Sequence, residues 1–251
     1  LSTTAFDSSR QLHDQRSPLD PRRGGHLTSG VLLRRIRELG ERRLKRKTLA
    51  RWMRDPEFAK RIDAVLSSTP ESLGISASAK DERGLPGAAE FRQSGWWEHM
   101  LLRYLLALDA ARDKLVLDSC SGLGWGSHLL AGVAAGVVGV DLDENAVGIS
   151  RRNWGDPNAS FVQGSVLDLP FEDQSFDVVL CMEAIEHFGR SDGRRFLREL
   201  ARVTRPGGLL FGSSAFPETR RGADELCSKN EHHLHIYTRA EMAELLQEAF
   251  G

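Results

Sequence analysis

Two aspartates and a glycine-containing turn form the first group of residues whose types and spacing suggest chemistry. In VLDSCSGLGWGS, which begins at Val116, Asp118 stands just before a turn that contains Gly122 and Gly124. Glycines let a ligand approach the backbone closely, and the start of the following helix attracts anions such as a pyrophosphate. A carboxylate at Asp118 would repel a pyrophosphate and favour an ammonium group instead.

A second acid extends this pattern toward a nucleoside. Asp141 follows Gly122 by 19 residues and ends an apolar run, where a carboxylate can accept both ribose hydroxyls. S-adenosylmethionine has an ammonium, a sulfonium and no phosphate, so Asp118 and Asp141 together fit it, and Leu142 would pack on its adenine. An NAD-dependent oxidoreductase is the least favoured enzyme class, because Asp118 stands where the pyrophosphate would lie. A tight turn without a ligand is the alternative.

Acidic and imidazole side chains form a second candidate group in the segment EAIEH. His187 is our first candidate for a general base that takes a proton from a substrate hydroxyl. Glu186 would orient His187 or contact the substrate. His99, in a predicted helix ahead of the glycine turn, is a further catalytic candidate that would line a lid over the cofactor. The alternative is that Glu186 and His187 only cap and pack a helix.

Strands and helices alternate from Lys114 onward. Strands are predicted at 115–118, 136–141, 160–165, 176–182 and 208–214. Helices are predicted at 96–111, 125–134, 144–153, 184–187, 191–204 and 239–249. Short apolar strands separated by helices predict an α/β fold with a parallel sheet covered on both faces. The carboxyl ends of such strands border the ligand crevice.

Composition divides the chain into three parts. Residues 1–30 are polar and predict a flexible tail, 31–95 predict a basic helical extension with a linker, and 96–251 predict the main domain, which contains the alternating strands and helices. Between 31 and 61, twelve Lys and Arg stand against four Asp and Glu. This surplus permits contact with nucleic acid or peripheral contact with an anionic membrane, but a solvated helical appendage is favoured.

Composition also limits the compartment. The net charge is −1, and the three cysteines lack the spacing of a metal site or a disulfide framework. No apolar run reaches the roughly 20 residues that a membrane span needs. We therefore expect a cytoplasmic protein, and we make no prediction of its oligomeric state.

The chain resembles the class I S-adenosylmethionine-dependent methyltransferases over most of 82–249. Its motifs VLDSCSGLGWGS, VVGVDLDENAVGISRRN, FVQGSVLDLPFEDQSFDVVLCMEAIEHF and FLRELARVTRPGGLLFGSS occur in the family's order and spacing. The segments ERGLPG and HMLLRY look like those of a bacterial subgroup associated with glycan and cell-envelope biosynthesis. The resemblance implies a Rossmann-like, doubly wound, mostly parallel sheet with an N-terminal helical extension. It also implies S-adenosylmethionine as cofactor and a small-molecule or glycan acceptor, for which we expect a hydroxyl.

The resemblance also implies further cofactor contacts and two departures from the family. Ser165 and the backbone of Val166 would face the adenine, and backbone groups near Cys181 would complete the methionine pocket. Cys120 stands where the family has Gly, and a positive φ there would cost about 1–2 kcal/mol. Ser165 often corresponds to Asp and would bond the adenine amino group without a charge. The family adds two antiparallel strands after the last helix. This sequence stops at Gly251, so either the C-terminus was removed or the sheet is incomplete.

Two other functions remain open at this stage. Glu183, Glu186, His187 and the distal His233 resemble the ligands of metal-dependent RNA ribose 2′-O-methyltransferases, since carboxylates and imidazoles can hold a divalent cation. The ordered motifs match the metal-free majority of the family, so we expect no metal. A non-catalytic cofactor-binding or scaffold protein is the third possibility, to which the unusual Cys120 gives slight support.

Overall fold

The protein is described by a computed structural model. Its described residues are 52, 54–75, 84–85, 88 and 96–251. The predicted tail 1–30, the basic segment up to residue 51 and most of the linker lie outside the described residues. None of the helices described is both long and apolar enough to cross a membrane.

Five strands form one sheet in the described part of the chain. They are β1 (Leu115–Ser119), β2 (Gly136–Asp141), β3 (Ala159–Gln163), β4 (Phe176–Met182) and β5 (Thr204–Ser213). The spatial order is β3-β2-β1-β4-β5, and every neighbouring pair is parallel. The chain therefore moves outward on one side of β1 and then crosses to the other side. This order confirms the predicted Rossmann-like, doubly wound sheet.

Helices connect and cover the strands. They are α1 (Pro56–Ser67), α2 (Trp96–Ala111), α3 (Trp125–Ala131), α4 (Glu144–Asn153), a 3₁₀ turn (Ile185–His187), α5 (Arg190–Val203), α6 (Arg220–Cys227) and α7 (Arg239–Phe250). Pro56 begins α1 directly after Asp55, whose carboxylate caps the helix. Sequence patterning missed α6, and it placed the start of the fifth strand at 208 although pairing with β4 begins at Thr204.

Successive side chains of each strand point to opposite faces of the sheet, where they pack in two apolar layers. On one face, Val116 and Val178 pack against Leu129 of α3. On the other face, Leu117 packs in a cluster that includes Phe196 of α5. The sheet is thus buried on both sides, and its carboxyl edge is where polar groups can meet a ligand.

The N-terminal extension belongs to the first of these layers in its described part. Phe58 and Ile62 of α1 are buried in the same cluster as α3. Arg61 donates to the backbone oxygen of His128 at 3.1 Å and to Asp156 at 2.6 Å. The predicted linker also contributes a buried side chain, Leu73. The extension from α1 onward is therefore packed against the sheet-covering helices.

We predict that two glycine-to-alanine changes in helices have opposite effects on stability. A Cβ at Gly126 in α3 would come within 2.1–2.6 Å of the Tyr104 ring, whereas one at Gly148 in α4 would meet only the end of Arg152 at 3.3 Å. Gly126→Ala should lower the free energy of unfolding by about 1–3 kcal/mol through overpacking. Gly148→Ala, the control, should raise it by up to about 1 kcal/mol through helix propensity. Urea unfolding measures both, and equal effects would contradict the close approach of Tyr104.

Candidate functional site

The site lies at the carboxyl ends of β2, β1 and β4. The chain changes direction between β1 and β4, and open α/β sheets bind ligands at such a switch point. Three candidate acids lie at the ends of these strands. Asp141 is the last residue of β2, Asp118 is the second-last residue of β1, and Glu183 follows β4. Topology therefore brings together residues that are up to 65 positions apart in the sequence.

Asp118 is completely buried and accepts hydrogen bonds from two hydroxyl groups. Ser127 of α3 donates to Oδ2 at 2.6 Å, and Tyr104 of α2 lies 3.3 and 3.4 Å from the two oxygens. Gly126 makes room for the Tyr104 ring. Two helices therefore hold one carboxylate at the end of β1.

The Ser127 and Tyr104 hydroxyls that donate to this carboxylate are neutral, so burial dominates its electrostatics. Burial raises the pKa of Asp118 to about 7, against the opposing effect of the Ser127 and Tyr104 hydrogen bonds. The negative charge of Asp141 raises this pKa further. A ligand cation would restore the ionised form, and an ammonium group has the required charge and donors.

Asp141 is held by backbone donors in an orientation suited to a ribose. The Gly122 N–H donates to Oδ2 at 2.8 Å, and the Asp143 N–H donates to Oδ1 at 3.0 Å. Each carboxylate oxygen has a second lone pair for a ligand hydroxyl. The glycine turn thus orients Asp141, the carboxylate that would bind the ribose.

The turn after β1 runs through three residues with positive φ: Cys120 at 56°, Gly122 at 55° and Gly124 at 79°. The predicted strain at Cys120 is therefore present. At Gly124, packing gives a second reason for glycine besides the expected approach of the cofactor. A Cβ there would lie 2.5 Å from the Ser150 hydroxyl oxygen and 2.8 Å from the Phe161 ring, so packing alone requires glycine.

The expected adenine contacts lie beyond β2 and β3. Leu142 is an exposed apolar side chain with 72% accessibility, as a platform for a flat ring would be. Ser165 is half-buried and its oxygen accepts the Leu167 N–H at 3.2 Å. Val166 is buried in the core. The geometry leaves Ser165 and the Val166 backbone as proposals for adenine recognition.

The end of β4 carries a buried ion pair that sequence reasoning did not foresee. Arg103 is 3% exposed, and its Nη2 lies 3.2 Å from Oε1 of Glu183. Glu183 has a φ of 48°, a conformation that non-glycine residues rarely adopt outside functional sites. Cys181, two residues earlier, is buried. Arg103 and its neighbour Tyr104 thus contact two different acids of the site, Glu183 and Asp118.

Next to this pair, the 3₁₀ turn presents Glu186 and His187. Glu186 is 3% exposed and accepts a hydrogen bond from the Ser214 hydroxyl at 2.9 Å. Burial and the neighbouring charge of Glu183 raise the pKa of Glu186. His187 Nδ1 lies 3.1 Å from the backbone oxygen of His232. This carbonyl orients the ring of His187, and the expected orienting role of Glu186 stays a prediction.

The remaining catalytic candidate, His99, is half-buried on α2 one turn before Arg103 and Tyr104. The most important residues that the sequence reasoning missed are Ser127 and Ser214, which bond the two buried carboxylates. A serine three positions after the last glycine of the turn is visible in the sequence. Its significance depends on a helix turn that points it back at β1.

Known proteins share this arrangement of fold and motifs. Residues 117–212 match a family described as "Methyltransferase domain". A Mycolicibacterium smegmatis protein named "Probable S-adenosylmethionine-dependent methyltransferase" is 34% identical over 184 residues, which are 73% of this chain and 67% of that protein. The chain belongs to the S-adenosylmethionine-dependent methyltransferases. This family membership favours an enzyme over the scaffold protein and the oxidoreductase, and it gives S-adenosylmethionine as the cofactor.

Two other proteins show the range of the likeness. A fatty-acid O-methyltransferase of Mycolicibacterium smegmatis is 40% identical over 106 residues, or 41% of this chain and 38% of that protein. The crystal structure of the YcgJ protein from Bacillus subtilis superposes with a TM-score of 0.55 at 26% identity, covering 59% of this chain and 68% of that one. The match to the O-methyltransferase spans well under half of its length, so its acceptor does not transfer directly.

The site of this methyltransferase fits S-adenosylmethionine by the chemistry of its groups. Asp118 is a buried acid that accepts hydrogen bonds from the neutral hydroxyls of Tyr104 and Ser127, which suits an ammonium site. Asp141 lies one strand away with its oxygens oriented by backbone N–H groups. Leu142 provides an exposed apolar surface beyond it. These residues would hold, in order, the ammonium, the ribose and the adenine.

We predict that binding of S-adenosylhomocysteine, the demethylated product, weakens as pH falls below about 7. The free protein then carries a proton on Asp118, which must leave before the ammonium binds, so affinity should fall by up to about tenfold per pH unit. Calorimetry from about pH 5.5 to about pH 8.5 measures this slope. Asp118→Asn should remove it. Asp141→Ala, the matched carboxylate, should weaken binding by about 1–3 kcal/mol at every pH. A slope that persists in Asp118→Asn would contradict the assignment.

We also predict that glycine relieves the strain at Cys120. Its φ of 56° suits glycine, so Cys120→Gly should be more stable than Cys120→Ala by about 1 kcal/mol, after the greater chain entropy of glycine is subtracted. Alanine is the control because it removes the thiol and keeps the strain. Thermal unfolding of the two variants decides, and an equal or lower stability of the glycine variant would contradict a left-handed conformation at this position.

Proposed function

We propose that this methyltransferase transfers the methyl group to a hydroxyl of a small molecule or glycan. The observation that carries the proposal is the orientation of His187. Its Nδ1 lies 3.1 Å from the His232 carbonyl oxygen, which can only accept, so Nδ1 bears the proton. The other nitrogen, Nε2, then has a lone pair that can accept a proton at the carboxyl edge of the sheet.

A base at this position matches the chemistry of a hydroxyl acceptor. A hydroxyl has a high pKa and is a weak nucleophile, and a positioned base accelerates its reaction about 10²–10⁴-fold. An amine acceptor reacts in its neutral form and needs the base less. His187 is also only half-buried, so an acceptor can reach it from solvent.

The roles of the chain's own residues follow from their positions. S-adenosylmethionine supplies an electrophilic methyl group on a sulfonium when it is bound. Asp118 and Asp141 would orient it from the ends of β1 and β2, which places its reactive end toward β4. His187, after β4, would take the proton that the acceptor hydroxyl loses. Positioning two reactants across adjacent strand ends supplies much of the catalysis.

The named relatives give limited support for oxygen as the attacking atom. One of them, 40% identical over 106 residues, is named a fatty-acid O-methyltransferase. That name gives a fatty acid as the acceptor of that protein and oxygen as the attacking atom. Our proposal for this chain shares the oxygen nucleophile and differs in taking a small molecule or glycan hydroxyl.

We predict that His187→Ala lowers kcat by at least about tenfold and leaves the affinity for S-adenosylhomocysteine unchanged. The assay uses sets of candidate acceptors that differ only in carrying a hydroxyl, amine or carboxyl group. It measures the formation of S-adenosylhomocysteine from S-adenosylmethionine. The hydroxyl member of each set should be methylated, and the amine and carboxyl members should not. Transfer to amines or carboxylates alone, or an unchanged kcat in the variant, would remove the hydroxyl assignment.

A further inference from the structure

Three side chains with metal-binding atoms converge beside the end of β4. Glu186 and His187 come from the 3₁₀ turn, and His233 comes from the segment between α6 and α7. One ligand atom from each lies within 4.8 Å of the other two, and the two imidazole rings are 5.3 Å apart. Two backbone hydrogen bonds, from the N–H groups of Leu234 and His235 to the Glu186 carbonyl, fix the segment against the turn.

We infer that Glu186, His187 and His233 bind a divalent transition-metal cation. Two imidazoles and one carboxylate are the ligand set of several catalytic Zn²⁺ sites, and they also suit Mn²⁺ and Fe²⁺. With bonds of about 2.2 Å, ligands on opposite sides of a cation lie about 4.4 Å apart. The observed separations therefore need only small side-chain adjustments. The remaining coordination positions would be open to the acceptor.

The surroundings of two ligands are already those of a metal site. Metal-bound histidines usually donate their second ring N–H to a carbonyl or carboxylate, and His187 Nδ1 does so to the His232 carbonyl. Its Nε2 is then the ligand nitrogen. Ligating carboxylates are likewise fixed by hydrogen bonds, and the Ser214 hydroxyl fixes Glu186 at 2.9 Å.

His233 needs one adjustment, and this makes the inference testable. Its Nε2 lies 3.1 Å from Nδ2 of Asn230, which donates, so this nitrogen accepts. Ligation through the buried Nδ1 requires a proton on Nε2 instead. Asn230 would then have to present its amide oxygen. An acidic residue at position 230 would present an acceptor in every rotamer.

Charge around the cluster also favours a cation. The nearby guanidinium of Arg103 forms its ion pair with Glu183, while Glu186 accepts a hydrogen bond from the neutral hydroxyl of Ser214. A buried carboxylate is costly unless an opposite charge compensates it. A divalent cation between Glu186 and the two imidazoles would provide that charge. Glu183, which the sequence pattern placed among the candidate ligands, forms an ion pair with Arg103.

This inference rests on the proposed function and deepens it. A cation bound to the acceptor oxygen lowers the pKa of its hydroxyl, which is the task assigned above to His187 as a base. His187 would then act as a ligand. The ordered sequence motifs favoured metal-free transfer, and the convergence of His233 on the 3₁₀ turn is what argues for a metal. If no cation binds, the base mechanism remains as proposed.

The test is direct metal binding by chelator-treated protein. Titration with Mn²⁺, followed by electron paramagnetic resonance, and with Zn²⁺, followed by calorimetry, should show one site. Glu186→Gln and His233→Ala should each weaken it at least tenfold. Glu231→Gln, which removes an exposed carboxylate from the same segment, should leave it unchanged. Asn230→Asp should tighten it, because a carboxylate stabilises the ligating tautomer.

Binding of S-adenosylhomocysteine to each variant provides the folding control and separates the two proposals. Retained nucleoside binding with lost metal binding supports the site. Absence of a wild-type site, or equal metal affinity in wild type, Glu186→Gln and His233→Ala, overturns it and leaves methyl transfer intact. Failure of S-adenosylhomocysteine to bind wild-type protein would count against the assigned cofactor site instead, whatever the metal result.

Discussion

The burial of the Asp118 carboxylate is the constraint on which the rest of the site depends. It lies at the end of β1 with no solvent exposure, and it is held by hydroxyls from α2 and α3. Both helices must approach closely, which is possible because Gly126 leaves room for the Tyr104 ring. The ionised form of an acid in this environment is unfavourable without a cation beside it. The ammonium group of a ligand would therefore stabilise the ionised form of Asp118.

The order of the strands determines how a ligand bound at Asp118 would be oriented along the sheet edge. In the sheet, β2, β1 and β4 are neighbours, and parallel strands lie roughly 4.8 Å apart. Asp141, Asp118 and the 3₁₀ turn after β4 therefore form a line along one edge. With the nucleoside on Asp141 and the amino-acid group on Asp118, as we propose, the methyl group would lie toward β4, where Glu186 and His187 lie. Topology would then also give the position of the acceptor.

Backbone conformation at this edge shows how closely the turns are specified. Cys120, Gly122, Gly124 and Glu183 all have positive φ, and they follow either β1 or β4. Only two of them are glycine, so the other two carry strain that the surrounding contacts must offset. At Glu183 these contacts are the Arg103 ion pair and a 2.8 Å backbone bond to Ser213. The turns are thus held by tertiary contacts as well as by residue type.

The sequence by itself determined the fold class and the acids of the cofactor site. Short apolar strands must be buried on both faces, so alternating strands and helices lead to a parallel sheet. Asp118 and Asp141 end their strands and therefore meet at its carboxyl edge. Helix ends and α6 were less predictable, because local propensity is weak compared with packing.

Only the tertiary structure decided which side chains surround these acids. Ser127, Tyr104 and Ser214 are ordinary helix or loop residues in the sequence, and they become partners of Asp118 and Glu186 through packing. Likewise, His233 lies 46 residues beyond His187, and the fold brings their rings together. Strand ends follow from local patterns of apolar residues, whereas contacts between distant segments depend on how the helices pack over the sheet.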